Sequence, residues 1–527
     1  MKKVKFINLG GYGFVHRINP SYYILKSYYK FRGKNVDQIV WLTPTMSNLA
    51  TVKSTLDEID ADIPDVLCVS SFVWNHDRTM RIAKTVKERY PETVVVAGGP
   101  NLDAHKNENF FIEYPYIDYV VYGDGEQAFV EILDSIVENR SIDPNSKNAV
   151  NIVTHSEKFP FKVFNDTEYS SISSVLDCKQ EIAEEVEYLR STGIEKIFFQ
   201  WERARGCPYT CSFCDWSSGL HNKVKRKKSN WQEEIDFLYS LDVGITPTDA
   251  NWGIYSDDIE ITRYAAARGN FVVQNVAKLN KERAFEVYEI LYSQKKNKNA
   301  GRMLKLSFQD LNEDVLGNIN RPEIPWHEHK GFIENFHMKF PDVKLQAEII
   351  IGLPGQTKSG FISQLEKFEN INISAIRSYF WEILPNSPAF DPAYQKKFGI
   401  QTKKFTIVEP YAEFDSITDL KNTIEAGGTG WSQTNFVISN NSVSLPEILM
   451  FKFLSNVYST VGLSNGNIPI KKAIKQILTF IEKESLRIAK NVEKTGLWCV
   501  QSPSTNKIIS IDRYLTSIED IKKIMSR

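Results

Sequence analysis

Three cysteines stand close together in the stretch Arg205-Gly206-Cys207-Pro208-Tyr209-Thr210-Cys211-Ser212-Phe213-Cys214-Asp215-Trp216, spaced C-x3-C-x2-C. Thiolates in such spacing hold iron or zinc. A cubane iron–sulfur cluster has four irons, so three thiolates leave one iron open to a substrate or cofactor. No other cysteine lies near enough in sequence to be an obvious fourth ligand. The competing reading is structural zinc, with His221 completing the set. Zinc sites usually pair two C-x2-C knuckles, and here one knuckle follows a wider gap.

The spacing and the aromatic Phe213 resemble the signature of the radical S-adenosylmethionine enzymes. The Arg-Gly-Cys-Pro lead and Cys-Asp-Trp exit are similar to one large branch of that family. The resemblance implies a [4Fe-4S] cluster on Cys207, Cys211 and Cys214. Its open iron would chelate the amino and carboxylate groups of S-adenosylmethionine, and reductive cleavage would give a 5′-deoxyadenosyl radical.

A loop of this kind needs a scaffold. The chain has 527 residues, too many for one core, so several domains are expected. A net charge of -1 gives no global field to draw it to nucleic acid. Six cysteines in this length make no disulfide framework, so Cys68, Cys178 and Cys499 read as plain buried thiols. The opening residues lack a long apolar signal region, and no apolar run has transmembrane length. An open iron–sulfur site also needs a reducing compartment, so the expected location is cytoplasmic.

Residues 1–140 alternate strand and helix. Strands are predicted at Val4–Leu9, Gln38–Leu42, Val66–Val69, Thr93–Ala97 and Tyr119–Val121. Helices are predicted over Tyr22–Phe31, from about Ser47, and over Arg78–Arg89. Continuous β-branched runs between helices indicate a parallel sheet covered on both faces, which binds ligands at the carboxyl ends of its strands. Small residues gather at those ends: Gly10-Gly11, Ser70-Ser71, Gly98-Gly99-Pro100 and Gly123-Asp124-Gly125-Glu126.

These marks, in this order, resemble the Rossmann-like cobalamin-binding domain that precedes the barrel in one radical S-adenosylmethionine branch. The Asp-x-His-x-x-Gly loop of histidine-ligated cobalamin proteins is absent, since Phe14 stands where its Asp would precede His16. The resemblance therefore implies no histidine on the cobalt. It makes Trp74 the candidate for the lower corrin face, against the alternative of ordinary packing, and leaves His16 and His76 as solvated side chains. A dinucleotide site ranks below, because no Gly-x-Gly-x-x-Gly opens a helix after the first strand.

Residues 141–194 read as a linker ending in a helix. Residues 195–390 alternate again, with strands at Lys196–Gln200, before Asp249, at Phe271–Gln274, Leu304–Phe308, Leu345–Ile351 and Ile376–Ile383. Six strand–helix units resemble the partial (β/α)6 barrel of the superfamily, whose function sits at the strand ends. The resemblance places Asp249, Asn251 and Gly253 against the methionine end of S-adenosylmethionine and Gln309 near its ribose. It pairs Arg321 with the methionine carboxylate and packs Phe213 and Ile350 on the adenine. The run Lys223, Lys225, Arg226, Lys227 and Lys228 reads as a solvated loop. Residues 391–527 carry no readable motif; Gly427–Trp431 reads as a flexible turn, and helices at Glu447–Tyr458 and Pro469–Asn491 suggest a mostly helical capping region.

The fold class is thus α/β. The resemblance implies a cobalamin-dependent radical S-adenosylmethionine enzyme that C-methylates an unactivated carbon of a small-molecule or peptide precursor, with flavodoxin or ferredoxin as electron donor. It would use two S-adenosylmethionine molecules, one as methyl donor and one as radical source. Alternatives are the same cofactors performing a ring contraction or cyclisation, and a non-catalytic cobalamin- or zinc-binding regulator. A methylthiotransferase is disfavoured: those enzymes carry further cluster cysteines in the N-terminal domain, where only Cys68 lies.

Overall fold

The computed structural model describes residues 1–11, 15–165, 174–216, 224–274, 276, 281–294, 303–463, 470–517, 519 and 521. Seven strands open the chain: β1 (Lys2–Ile7), β2 (His16–Ile18), β3 (Ile39–Trp41), β4 (Val66–Ser70), β5 (Val94–Gly98), β6 (Tyr119–Val121) and β7 (Ile152–Val153). Six form one sheet in the order β3-β1-β4-β5-β6-β7, parallel except for β7. Side chains alternate between its faces. Val66, Cys68 and Val96 enter one hydrophobic cluster, while Leu67, Val69, Val95 and Ala97 enter another. Both faces are covered, as the continuous apolar runs required.

The helix expected from Ser47 begins later, at Val52. Thr51 and Ser54 form a reciprocal capping box there, which fixes the start more firmly than the apolar pattern does.

Strand β2 leaves this sheet. It pairs in parallel with β8 (Ile197–Trp201), which continues through β9 (Ala204–Arg205) and its antiparallel partner β10 (Lys225–Arg226). Next comes β11 (Gly244–Pro247), parallel to β8, so one part of the barrel wall reads β2-β8-β11. The other part is β12 (Met303–Gln309), β13 (Lys344–Ile351) and β14 (Ile373–Phe380), all parallel. The strand expected at Phe271–Gln274 is reduced to isolated bridges, Ile245 to Phe271 and Trp252 to Val276. Phe271 is buried, but Gln274 and Val276 turn to line a cavity instead of extending a ladder.

Helices Pro392–Phe398, Ile417–Glu425, Leu445–Leu463 and Ile470–Thr495 dominate the C-terminal region. A sheet not anticipated from the sequence accompanies them: β15 (Gln401–Val408), β16 (Glu413–Phe414), β17 (Trp431–Ser439), β18 (Leu497–Gln501) and β19 (Ile508–Ser510), ordered β16-β19-β18-β15-β17. Its strands are drawn from segments far apart in sequence, so no local alternation announces it. The glycine turn is docked: Gly427 O accepts from Val52 N at 3.0 Å, and Arg81 Nη1 donates to Ile424 O at 2.7 Å. This region therefore sits on the N-terminal domain. Among the described residues no helix is long and apolar enough to cross a membrane.

Candidate active site

The cysteine loop leaves β9 and is pinned on both sides. Ser212 N donates to Ile319 O at 2.8 Å, and Ala389 N donates to Ser212 O at 2.9 Å. Asn320 Nδ2 holds Thr210 O at 3.1 Å. Cys207, Cys211 and Cys214 all line one cavity of about 210 Å³, with Phe213, Asn251, Gln309 and Arg321 also on its wall. Asn251 Nδ2 donates to Cys207 Sγ at 3.1 Å, and Arg321 Nη1 stands 3.9 Å from Cys211 Sγ. The other arm of Arg321 donates to Ser307 O at 2.8 Å, and its guanidinium lies 5.8 Å from the Phe213 ring centre.

A cluster fits this set. Burial pushes the Cys214 thiol up to about 11, so a bound cation is what would hold it as thiolate. Gln309 sits at φ 67°, a left-handed conformation that costs about 1 kcal/mol, and its buried Oε1 has no hydrogen-bond partner. Strain and an orphaned acceptor together at a cavity wall mark a place for a ligand. Among the described residues no three His, Cys, Asp or Glu converge as on a single ion. Three cysteines that each bind a different iron need not converge in that way. His221, the fourth ligand of the zinc reading, lies outside the described residues.

Three residues expected at S-adenosylmethionine stand behind the wall. Asp249 is buried and accepts from Arg203 N at 2.9 Å and Ala204 N at 3.0 Å, so it fixes the lead into the cysteine loop. Burial pushes its carboxyl up to about 7 against those two donors and the Arg226 guanidinium. Gly253 (φ 92°) donates to Asp258 Oδ2 at 2.8 Å, and Ile350 packs with Phe213 against the Val315–Ile319 cluster. Of the basic run, Lys223 lies outside the described residues and Lys228 is exposed, but the three basic residues between them are no solvated loop. Lys225 and Arg226 form β10, Arg226 pairs with Asp257 at 2.9 Å and Asp258 at 2.5 Å, and Lys227 faces Glu234 at 3.8 Å. Those carboxylates come from later helices, so the run's partners were not apparent locally.

A second cavity, of about 310 Å³, opens at the carboxyl ends of the N-terminal sheet. Ser70, Gly98, Gly99, Gly123 and Glu126 line it, together with Phe72 and Asp124. Gly10, Gly11 and Ser71 stand behind that wall. A Cβ on Gly10 would meet Asn48 Cβ at 2.9 Å, and Ser71 Oγ is held 2.8 Å from His76 Nδ1. Trp74 stacks face to face on Phe72, with centroids 4.6 Å apart, and covers Gly11 while remaining 38% exposed. The histidines are not solvated: His16 is buried on β2, and both ring nitrogens of His76 are engaged, by Ser71 and by Tyr114 Oη at 3.2 Å.

Sequence reasoning singled out Glu126 and the Asp124 motif but missed the contact with Arg205 that joins the two cavities. Arg205 donates to Asp124 Oδ1 at 2.5 Å, to Glu126 Oε1 at 2.9 Å and to Glu202 Oε2 at 3.0 Å. Asp124 and Glu126 are deeply buried; burial raises the Glu126 carboxyl, and Arg205 pulls against that shift. The signal was two acids flanking Gly125 with no cation nearby in sequence. Arg205, Glu202 and Thr248 line the second cavity, while Cys207 and Asn251, two and three residues on from Arg205 and Thr248, line the first. Two strand ends, β8–β9 and β11, thus form a shared wall.

Residues 24–133 match the family model of the B12 binding domain. The cobalamin-dependent radical SAM methyltransferase TokK of Streptomyces tokunonensis is 31% identical over 69% of this chain and 54% of its own length. The 2-(S-pantetheinyl)-carbapenam-3-carboxylate methyltransferase of Streptantibioticus cattleyicolor is 31% identical over 66% of this chain and 51% of its own. The chain thus spans about half the length of the curated relatives it matches. In fold it is similar to the methyltransferase TsrM from Kitasatospora setae with cobalamin and [4Fe-4S] cluster bound: TM-score 0.56, 12% identity, 93% of this chain and 100% of that one. Fold and site define an α/β protein with a B12-binding domain in front of a radical S-adenosylmethionine barrel. Residues 24–133 belong to the B12-binding domain family, and the chain around them is similar to cobalamin-dependent radical S-adenosylmethionine methyltransferases, in line with the resemblance drawn from the cysteine motif and strand ends.

Proposed function

We propose that this protein methylates an unactivated carbon of a small-molecule or peptide natural-product precursor, using S-adenosylmethionine, a [4Fe-4S] cluster and cobalamin. The observation that carries the reading is the shared wall, which sets the cysteine cavity and the strand-end cavity back to back. When bound, the cluster would supply radical cleavage of S-adenosylmethionine and the corrin a methyl carrier. Residues 1–140 serve the corrin, 195–390 the cluster, and 391–527 close the assembly. A flavodoxin- or ferredoxin-type donor supplies the electrons.

Each side chain has a part in this reading. Cys207, Cys211 and Cys214 hold the cluster, and the Asn251 amide tunes the Cys207 sulfur by hydrogen bonding. Gln309 and Arg321 face the open side, where a guanidinium suits a carboxylate. Asp249 and Gly253 position the loops, and Phe213 with Ile350 provides apolar surface for the adenine. Ser70, Gly98, Gly99, Gly123 and Glu126 line the corrin cavity, and Gly10, Gly11 and Ser71 support it. Phe72, which lines the cavity, would present carbon to the corrin, with Trp74 stacked behind it. His76, with both nitrogens engaged, offers cobalt no ligand.

The test is anaerobic reconstitution with iron, sulfide and cobalamin, followed by addition of S-adenosylmethionine and a one-electron reductant. The expected result is bound iron and cobalt, 5′-deoxyadenosine, and S-adenosylhomocysteine that forms only when cobalamin is present. Tight zinc without iron, or no cobalamin binding, overturns the reading.

A further inference from the structure

The cysteine loop is tied to the N-terminal domain at two places. The first is its start. Arg205, two residues before Cys207, reaches back to Asp124 and Glu126, whose side chains are 2% and 3% exposed. Glu126 opens the helix Glu126–Val137, directly after β6 and its glycine turn. A guanidinium between two carboxylates fixes direction as well as distance. The second place is Ser212, between Cys211 and Cys214, whose carbonyl accepts from Ala389 N. Three residues earlier, Asn386 Nδ2 donates to Pro100 O at 2.7 Å and Leu102 O at 3.1 Å, just past Gly98 and Gly99.

The segment between Asn386 and Ala389 transmits position well. Asn386, Ser387 and Ala389 are buried, Pro388 begins a single helical turn, and Phe390 N donates to Ser387 O at 3.0 Å. Asn386 spends both amide hydrogens on the two carbonyls, and its buried Oδ1 has no partner among the described residues. An acceptor left in that state costs about 1–3 kcal/mol, so stability alone does not account for the contact. Beyond Ser212 the connection continues: Ser212 N donates to Ile319 O, two residues before Arg321 on the cysteine cavity. At the other end, Pro100, Asp124, Glu126 and Arg205 all line the strand-end cavity. A ligand that fills this cavity therefore touches the anchors of both ties. It expels water from around Arg205 and its carboxylates, which strengthens their attraction, and it holds Pro100 in place. A cysteine loop ordered in this way lowers the entropy cost of a second ligand.

We infer that Arg205 and Asn386 are positioning residues that couple the two cavities, so that cobalamin in the strand-end cavity tightens the binding of S-adenosylmethionine in the cysteine cavity. The inference rests on the proposed assignment of corrin and cluster to those cavities. Its consequence is an order of loading. Protein without the methyl carrier binds the radical source weakly, which limits cleavage that has no methyl group to follow it.

The test is anaerobic equilibrium dialysis of S-adenosylmethionine against cluster-loaded protein, with and without saturating hydroxocobalamin. The cluster is kept oxidised, so no cleavage occurs, and the cobalt of hydroxocobalamin is no nucleophile, so no methyl group moves. In wild type, cobalamin should tighten S-adenosylmethionine binding about fivefold or more, the size of an ordinary coupling between sites. By linkage, S-adenosylmethionine should tighten cobalamin by the same factor. Arg205→Gln and Asn386→Ala should each bring that ratio toward one, and Arg205→Lys, which keeps the charge, should retain part of it. Iron content verifies that each variant is folded; Asn386→Ala changes no charge and decides the matter if Arg205→Gln takes up no iron. A ratio of one in wild type overturns the inference, as does an unchanged ratio in the iron-loaded variants. It is also overturned if the variants weaken S-adenosylmethionine equally with and without cobalamin, because the two residues then serve packing alone. Protein that takes up no cobalamin, or zinc in place of iron, refutes the functional reading instead, so the two failures are distinct.

Discussion

The cysteine cavity and the strand-end cavity share a wall and are built on opposite plans. The first is made by reactive side chains: three thiols, an amide on a sulfur and an arginine, all gathered on loops. The second combines apolar walls such as Phe6, Tyr22, Phe72 and Phe129 with a floor of glycines and a serine at strand ends, where missing side chains leave the backbone open to close approach. Damage should therefore take different forms. Loss of a functional group should silence the first, whereas added bulk should silence the second.

The largest expected effect is at the cysteines. Cys207→Ala, Cys211→Ala and Cys214→Ala each should abolish 5′-deoxyadenosine formation after anaerobic reconstitution, with cobalamin binding retained. Full cleavage in any of the three breaks the assignment of that cavity to the cluster.

Next is Gly99→Ala. A Cβ there would lie 2.4 Å from Ser71 O and 2.8 Å from Ser71 N, on a backbone at φ 108°. Strain of about 1–3 kcal/mol must be relieved by moving the β4–β5 strand ends, so cobalamin affinity should fall about tenfold or more. Iron content should stay at the wild-type level. Equal loss of iron and cobalt would show that the cavities are one mechanical unit.

The smallest effect sharpens the contrast. Gln309→Gly removes both a strained φ and the orphaned Oε1. Thermal unfolding should show a gain of about 1 kcal/mol, while S-adenosylmethionine binding weakens several-fold, as expected where strain is kept for function. A variant neither more stable nor weaker in binding assigns Gln309 to packing alone.

Legibility followed distance along the sequence. Cys207, Cys211 and Cys214 lie within one short loop, and the small residues at strand ends follow their own strands, so residue type and spacing exposed both cavities. Local pattern also gave the parallel sheet, because each strand must be apolar on both faces. It failed where a partner comes from far away. The C-terminal sheet joins β15 to β18, the basic run meets Asp257, Asp258 and Glu234, and β2 crosses to pair with β8.

The sequence alone determined the chemistry available: three closely spaced thiols, and a doubly covered sheet with small residues at its strand ends. Only the tertiary structure decided what surrounds that chemistry. Arg205 finds Asp124 and Glu126 across some eighty residues. Charge acts through space with little regard for sequence distance, and closure of the barrel wall is what sets those distances.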